Sequence, residues 1–367
     1  MTLDAAALLA GPRGRRLCLQ FALAAGVDDT ADELRSAAFY AAYDLDPGRG
    51  RSRVLFGPET GSHTPGPHPA EVAALLDAAT IAPPSETQLW FALREAVDAA
   101  RYWQEPDGED ALAGSPPMRE SLARVARLLA DSPHADWWTS PLDDTQWAVF
   151  FVDNQDLGPA AAPAAVSEVD TLERWQGAQR HEETLAGLRR PMTVTAAISG
   201  SWWSKPPWVL TQSARALNDR GPVGLQLVED RFSWTAAAVE RLVVPGGARI
   251  YEIDGPAAWA QLCTRYPMDV TSSRRHDWFR ATGRTGRWML PNWARVSADV
   301  DAVHLTVAGY LTTAGLAVPV GDDAASVLAG WNPDQTYWLG EVTRDVSTRQ
   351  QWTEHDDSSG WARSPEP

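Results

Sequence analysis

Five arginines, Arg274, Arg275, Arg280, Arg284 and Arg287, fall within fourteen residues of a chain whose formal net charge is −16. Arginine's planar fork matches phosphate oxygens two at a time. With Trp278 and Trp288 among them, these arginines read as a clamp for a phosphate-bearing ligand, led by Arg274 and Arg275. The plainer alternative is a solvated loop that balances acidic neighbours. His276-Asp277 offers two metal ligands side by side, but the others such a centre needs cannot be located, and no metal is expected. Glu229-Asp230 and the pair Asp299/Asp301 are carboxylates of the kind that hydrolyse glycosides. Neighbours on a strand point to opposite faces, so Glu229-Asp230 makes a poor acid/base pair if it lies within one. Lys205 is the only lysine among 32 lysines and arginines, which leaves 31 arginines. It stands between Ser201-Trp202-Trp203-Ser204 and Pro206-Pro207 and is expected in or near a site. Eighteen tryptophans imply either a tryptophan-rich core or an aromatic-lined pocket for a planar ring. G-x-S-x-G, Walker, G-x-G-x-x-G and H-E-x-x-H patterns are absent.

The elements that must position these residues change character along the chain. Residues 5–25, 31–43 and 70–79 read as helices. Ser85 with Gln88 forms a capping box for the next helix, where Leu89, Leu93, Ala96, Val97 and Ala100 follow helical spacing. Met118, Leu122, Val125 and Leu129 mark another. Arg53–Phe56 is a short strand or buried turn, followed by a Gly/Pro/His loop from 57 to 69. Residues 147–152 read as a buried strand, and 158–166 as a linker by composition. Ser167 caps a helix to about Arg189. Beyond Pro191 the pattern predicts strands at 193–198, 224–228, 249–253, 302–307 and 336–339, with helices at 234–242, 256–266 and 293–299. Strands mixed with short helices and no regular βαβ beat predict an α+β fold. The expected organisation is a mostly helical domain over 1–157, the linker, an α+β domain over 167–345 and a flexible tail from 346.

Composition narrows the function classes. Hydrophobic residues make up 44% of the chain, enough to bury a core. An acidic surface, with a pI near 4.8, repels phosphate backbones and anionic headgroups, so neither nucleic acid nor membrane is the expected partner. Cys18 and Cys263 are too few for a disulfide framework. No secretory leader pattern and no apolar run of about 20 residues is found, which predicts a cytoplasmic protein. The arginine, alanine, glycine and proline usage resembles the coding bias of a high-GC, actinobacterial-type genome.

The stretch Gly221–Asp230, followed by Trp234-Thr235-Ala236-Ala237-Ala238, carries a resemblance. A glycine turn, a short strand, an acidic turn and a small-residue helix in this order look like the central piece of poly-ADP-ribose-polymerase-type ADP-ribosyltransferases. The resemblance implies a split antiparallel sheet and NAD as substrate, with Gly224 in the floor of its site. It implies Ser199, Gly200 and Ser201 on the nicotinamide, where the family has a His-Gly-Ser or Arg-Gly-Ser triplet. Trp234 would stack on a ring, and Asp301 or His304 would stand in for the family's catalytic glutamate. Gly224-Leu225, Trp234, Tyr251-Glu252-Ile253, Tyr266-Pro267, Pro291-Asn292-Trp293, Asp301–His304 and Trp331-Asn332 also resemble, over about 150 residues, a pattern of uncharacterised bacterial and phage proteins. Two functions follow as expectations. One is an NAD-binding transferase or glycohydrolase with an unknown protein acceptor. The other is a non-catalytic binding or adaptor protein that uses a tryptophan-lined groove of the same fold.

Overall fold

Gly11 and Pro12 divide the alanine-rich N-terminus into two helices, α1 (Ala5–Ala10) and α2 (Pro12–Ala25). Proline suits a first helical turn, where its missing N–H has no partner to lose. The computed structural model describes residues 3–49, 65–152, 167–217, 220–231, 234–355 and 360–364. The strand or turn expected at 53–56, most of the following loop, and the linker at 158–166 lie outside them. The helical part continues with α3 (Asp29–Leu45), α4 (Pro69–Ala78), α5 (Glu86–Asp98), α6 (Gly108–Gly114) and α7 (Pro116–Ala130). The capping box at Ser85 and Gln88 forms as the sequence predicts.

The chain then alternates between sheet and helix: β1 (Gln146–Val152), α8 (Glu168–Arg189), β2 (Gln212–Leu217), β3 (Gly221–Pro222), β4 (Ala236–Val243) and β5 (Ile250–Ile253). Next come α9 (Pro256–Arg265), β6 (Pro267–Asp269), α10 (Thr271–Thr282), β7 (Arg287–Pro291), α11 (Trp293–Val296), β8 (Ala302–Leu305) and α12 (Val307–Thr313). The last elements are β9 (Val318–Val320), β10 (Ala324–Ser326), β11 (Gln335–Trp338), β12 (Thr343–His355) and β13 (Gly360–Arg363). The fold is α+β with mixed sheets. The larger has nine strands in the order β13-β12-β4-β1-β2-β11-β8-β5, with β3 beside β2. Its pairs are antiparallel except β5 with β8. The smaller runs β6-β7-β10-β9.

Strand β1 lies between β4 and β2, inside the sheet that the chain beyond residue 212 otherwise builds. Helix α12 packs on α1 and α2. The approach is close: a Cβ on Gly11 would lie 2.3 Å from the Leu311 carbonyl oxygen. One buried apolar cluster runs from Leu8 to Leu339. Among the described residues no helix is long and apolar enough to cross a membrane.

Several sequence expectations are corrected. Residues 236–243 form β4 rather than a helix: the run is alanine-rich, but β1 and β12 flank it and bury it, and tertiary context overrides propensity. Residues 193–198, β-branched as they are, form turns, because no neighbouring strand pairs with them. At 224–228, Val223 O accepts from both Gln226 N and Leu227 N at 3.0 Å, which closes a 3₁₀ turn in place of a strand. The expected loose tail contributes β12 and β13.

A buried charge network ties the sheet together. Arg215 Nε lies 2.6 Å from Asp334 Oδ1, and Arg215 N donates to the other carboxylate oxygen at 3.0 Å. The same guanidinium donates to Ser140 O and Pro141 O, in the approach to β1. Breaking a buried pair on one side strands the other charge in a low dielectric. Asp334→Asn is therefore expected to destabilise the fold by about 3 kcal/mol or more in urea titrations. A loss under about 1 kcal/mol would show that the pair does not hold β2 to the turn before β11.

Candidate functional site

Trp147, Val149 and Phe151 share one face of β1 because side chains alternate along a strand. They form one wall of a pocket of about 340 Å³. Trp103, from the loop after α5, and Trp202, from the loop before β2, form the opposite side with ring centroids 5.0 Å apart. Trp234 stacks on Phe151 at 4.5 Å, with ring planes 12° apart. The polar lining includes Lys205, Glu229, Asp230 and Asn332, with Gln212, Ser213 and Gln335 beside them. The pocket thus sits where the helices meet the sheet.

The backbone that carries Glu229 is pinned from two sides. Glu229 N donates to Asn332 Oδ1 at 2.9 Å, while Asp230 N and Arg231 N donate to Asp98 at the end of α5, at 3.3 and 2.8 Å. Asp230 adopts φ +46°, a left-handed conformation uncommon outside glycine and more tolerated by Asp than by bulkier residues. Arg101 Nε holds its carboxylate at 3.0 Å. Lys205 is fixed through its neighbour: Ser204 N donates to Ala329 O at 2.9 Å, and Ala329 N donates back to Ser204 Oγ at 2.9 Å.

Both carboxylate oxygens of Glu229 are covered, and among the described residues neither reaches hydrogen-bonding geometry with a partner. The same holds for the hydroxyls of Tyr102, Tyr310 and Tyr337. Burial pushes the Glu229 carboxyl up to about 7, against the Tyr310 and Tyr102 hydroxyls, Lys205 and Arg13, which favour its charged form. Burial likewise raises Tyr102 and Tyr310 well above the usual phenol range, with the charge of Glu229 adding to it. Burial lowers the Lys205 ammonium, against the pull of Glu229. Arg13, from α2, is ion-paired with Asp110 and donates to Ala96 O at 3.0 Å. A carboxyl that titrates near neutrality can give or take a proton at working pH.

Of the residues singled out from the sequence, the structure brings Lys205, Gly224 and Trp234 together in this pocket. Glu229 and Asp230, weighed from the sequence as a carboxylate pair, also line it, while the remaining residues expected at nicotinamide, phosphate and the catalytic position lie elsewhere. Ser199 Oγ and Gly200 N donate to Asp277 at 2.7 and 3.0 Å, and Ser201 N donates to Glu182 at 3.4 Å. Arg274 and Arg275 are buried. Arg274 bonds Gln179 and Glu182, and Arg275 bonds the Arg190 carbonyl, so they brace α10 on α8 and the chain after it instead of forming a phosphate clamp. Asp301 forms an ion pair with Arg249 at 2.6 Å near the surface. His304 is buried between Glu252 at 2.5 Å and Asp334 at 3.3 Å. Burial alone would lower its pKa, but hydrogen bonds to Asp334 and Glu252 overcome that and raise it to about 9. It serves the Arg215–Asp334 network. A larger recess of about 560 Å³ beside Glu252 is lined by Asp144, Arg241 and Asp345. The Glu252 carboxylate is already satisfied there by His304 and by Leu142 N.

The sequence argues against Glu229 only if it lies within a strand. The 3₁₀ turn ahead of it removes that condition. Tyr102, Tyr310, Tyr337 and Arg13 were missed, because nothing in their spacing announces that they converge. Comparison with protein-family models, with curated proteins and with solved structures finds no match to this chain. Among the described residues no group of three or more His, Cys, Asp or Glu is placed to hold a metal ion.

The Glu229 carboxyl has a direct stability signature. Its folded value, about 7, lies above the ordinary 4.5, so the folded state holds the proton more tightly than the unfolded one. Stability is therefore lost as pH rises from about 4.5 through 7. Glu229→Gln removes this loss and is expected to gain on the wild type by roughly 2–3 kcal/mol between pH 5 and pH 8. Equal pH profiles in urea melts would show that the carboxyl is solvated.

Proposed function

We propose that the protein binds a small molecule bearing a flat ring in the tryptophan-walled pocket, with the ligand's polar part directed at Lys205 and Glu229. The observation that carries this reading is the gathering of four indoles and Phe151 around a polar end that holds Lys205 and the buried Glu229. Indole faces favour flat rings, and a few placed polar groups set orientation in ligand sites of this size. The resemblance to NAD-using transferases makes NAD the first compound to test, since nicotinamide is a flat ring with a polar amide. In an NAD reading Glu229, rather than Asp301 or His304, is the carboxylate placed to oppose positive charge developing on a ribose. The binding or adaptor reading is favoured by one further observation: Ser199, Gly200, Asp301 and His304 are each held by partners of their own.

Tryptophan fluorescence separates these outcomes. A ring-bearing ligand in the pocket is expected to quench emission, with affinity about tenfold weaker in Trp234→Ala and Trp202→Ala, the effect of losing one stacking face. Titration with NAD, nicotinamide and ADP-ribose shows which part is recognised, and release of nicotinamide would mark a live transferase or hydrolase. If no ring compound, NAD included, quenches emission or protects the protein against thermal unfolding, the pocket is not a ligand site.

A further inference from the structure

Among 32 lysines and arginines, the single lysine stands in the tryptophan-walled pocket. Everywhere else the chain places arginine, including at the buried positions Arg13, Arg215, Arg274 and Arg275. The two side chains differ in one chemical respect that matters in a pocket. A guanidinium stays protonated in proteins, whereas an amine can shed its proton and expose a nucleophilic lone pair. Lys205 is half-buried, and among the described residues its Nζ forms no hydrogen bond. The charge that bears on it is that of Glu229. The mutual pinning of Ser204 and Ala329 and the prolines Pro206-Pro207 hold its backbone in place.

Resting on the ligand-pocket reading above, we propose that Lys205 is a nucleophile that condenses with the aldehyde or ketone carbonyl of a ring-bearing ligand to form an imine. The Nζ lone pair attacks the carbonyl carbon as the C=O π pair moves onto oxygen. The oxygen takes a proton and the nitrogen gives one up, leaving a neutral carbinolamine. A second proton on that oxygen lets the C–O bond break, water leaves, the nitrogen lone pair closes the C=N bond as an iminium ion, and the nitrogen then returns its remaining proton. The sum is amine plus carbonyl giving imine plus water, with no oxidant or reductant. Glu229, which lines the same pocket and whose charge bears on Lys205, is the carboxyl to which the proton relay is assigned. Removal of a lysine ammonium from water favours the neutral amine, the reactive form. The flat indole faces of Trp103, Trp202 and Trp234 select an aromatic or conjugated carbonyl compound.

The test uses the full chain, 2-naphthaldehyde as probe, borohydride to reduce any imine, and peptide mass spectrometry. Apart from Lys205, the chain's primary amine is its α-amino group, which serves as an internal reference. The expected result is one naphthylmethyl group on Lys205, formed at least tenfold faster than on the α-amino group. Glu229→Gln is expected to slow it about tenfold, and Lys205→Arg to leave only the reference label. Labelling at Lys205 no faster than at the α-amino group would overturn the proposal. 2-Naphthalenemethanol, which has the ring and no carbonyl, reports the pocket alone through tryptophan quenching. Quenching by the alcohol without trapping of the aldehyde overturns the lysine chemistry and leaves the pocket. Absence of both overturns both.

Discussion

The Glu229 carboxyl has lost its water and keeps only the Tyr102 and Tyr310 hydroxyls beside it as donors, and such a group stays where it is only if the surrounding structure holds it there. Here the hold comes from both halves of the molecule. Asp98, at the end of an N-terminal helix, accepts the two N–H groups that follow Glu229, while Asn332, from the turn before β11, accepts its own. Arg13 approaches from α2, Tyr102 from the loop after α5, and Tyr310 from α12. The left-handed Asp230 is strain that a surface loop would relax and that this double anchorage sustains. The tryptophan pocket inherits its shape from the same contacts, since Trp103 follows Tyr102 and Trp234 lies just beyond the anchored turn.

Local rules were legible in the sequence where local energies decide. Ser85 and Gln88 cap their helix because each satisfies an N–H within its own turn, and β1 reads as a strand from its apolar run. Where long-range pairing decides, the sequence misled. The alanines of β4 favour a helix until two strands flank them, and the β-branched residues at 193–198 have no strand to join. The site divides the same way. Lys205 stood out because its type is scarce, and Gly224 and Trp234 because a motif framed them. Glu229 was within view but discounted by a wrong local structure. Tyr102, Tyr310 and Tyr337 carry no sequence mark, since only the folded chain brings them to one carboxyl.

The charged residues that looked most functional in the sequence hold the fold instead. Arg274 and Arg275 brace α10 against α8 and the segment after it, Asp277 gathers Ser199, Gly200 and Arg280, and His304 is held between two carboxylates. Arginine suits these roles because its charge is permanent and its fork can bridge several acceptors. A permanently charged side chain buried in contacts within the fold is poorly placed to respond to a ligand. Two ionisable groups that line the pocket, Glu229 and Lys205, are drawn by burial towards their neutral forms. Groups perturbed in this way, and facing a concave aromatic wall, are where binding and proton transfer are expected.

The covered carboxyl can be observed without knowing any ligand. In protein labelled with ¹³C at glutamate Cδ, the Glu229 resonance is assigned by its absence from the Glu229→Gln spectrum. Its titration is expected to centre near pH 7, where burial places it. A midpoint near the ordinary glutamate value of 4.5 would mean that water reaches the carboxyl and that the anchored, dry site described here does not exist.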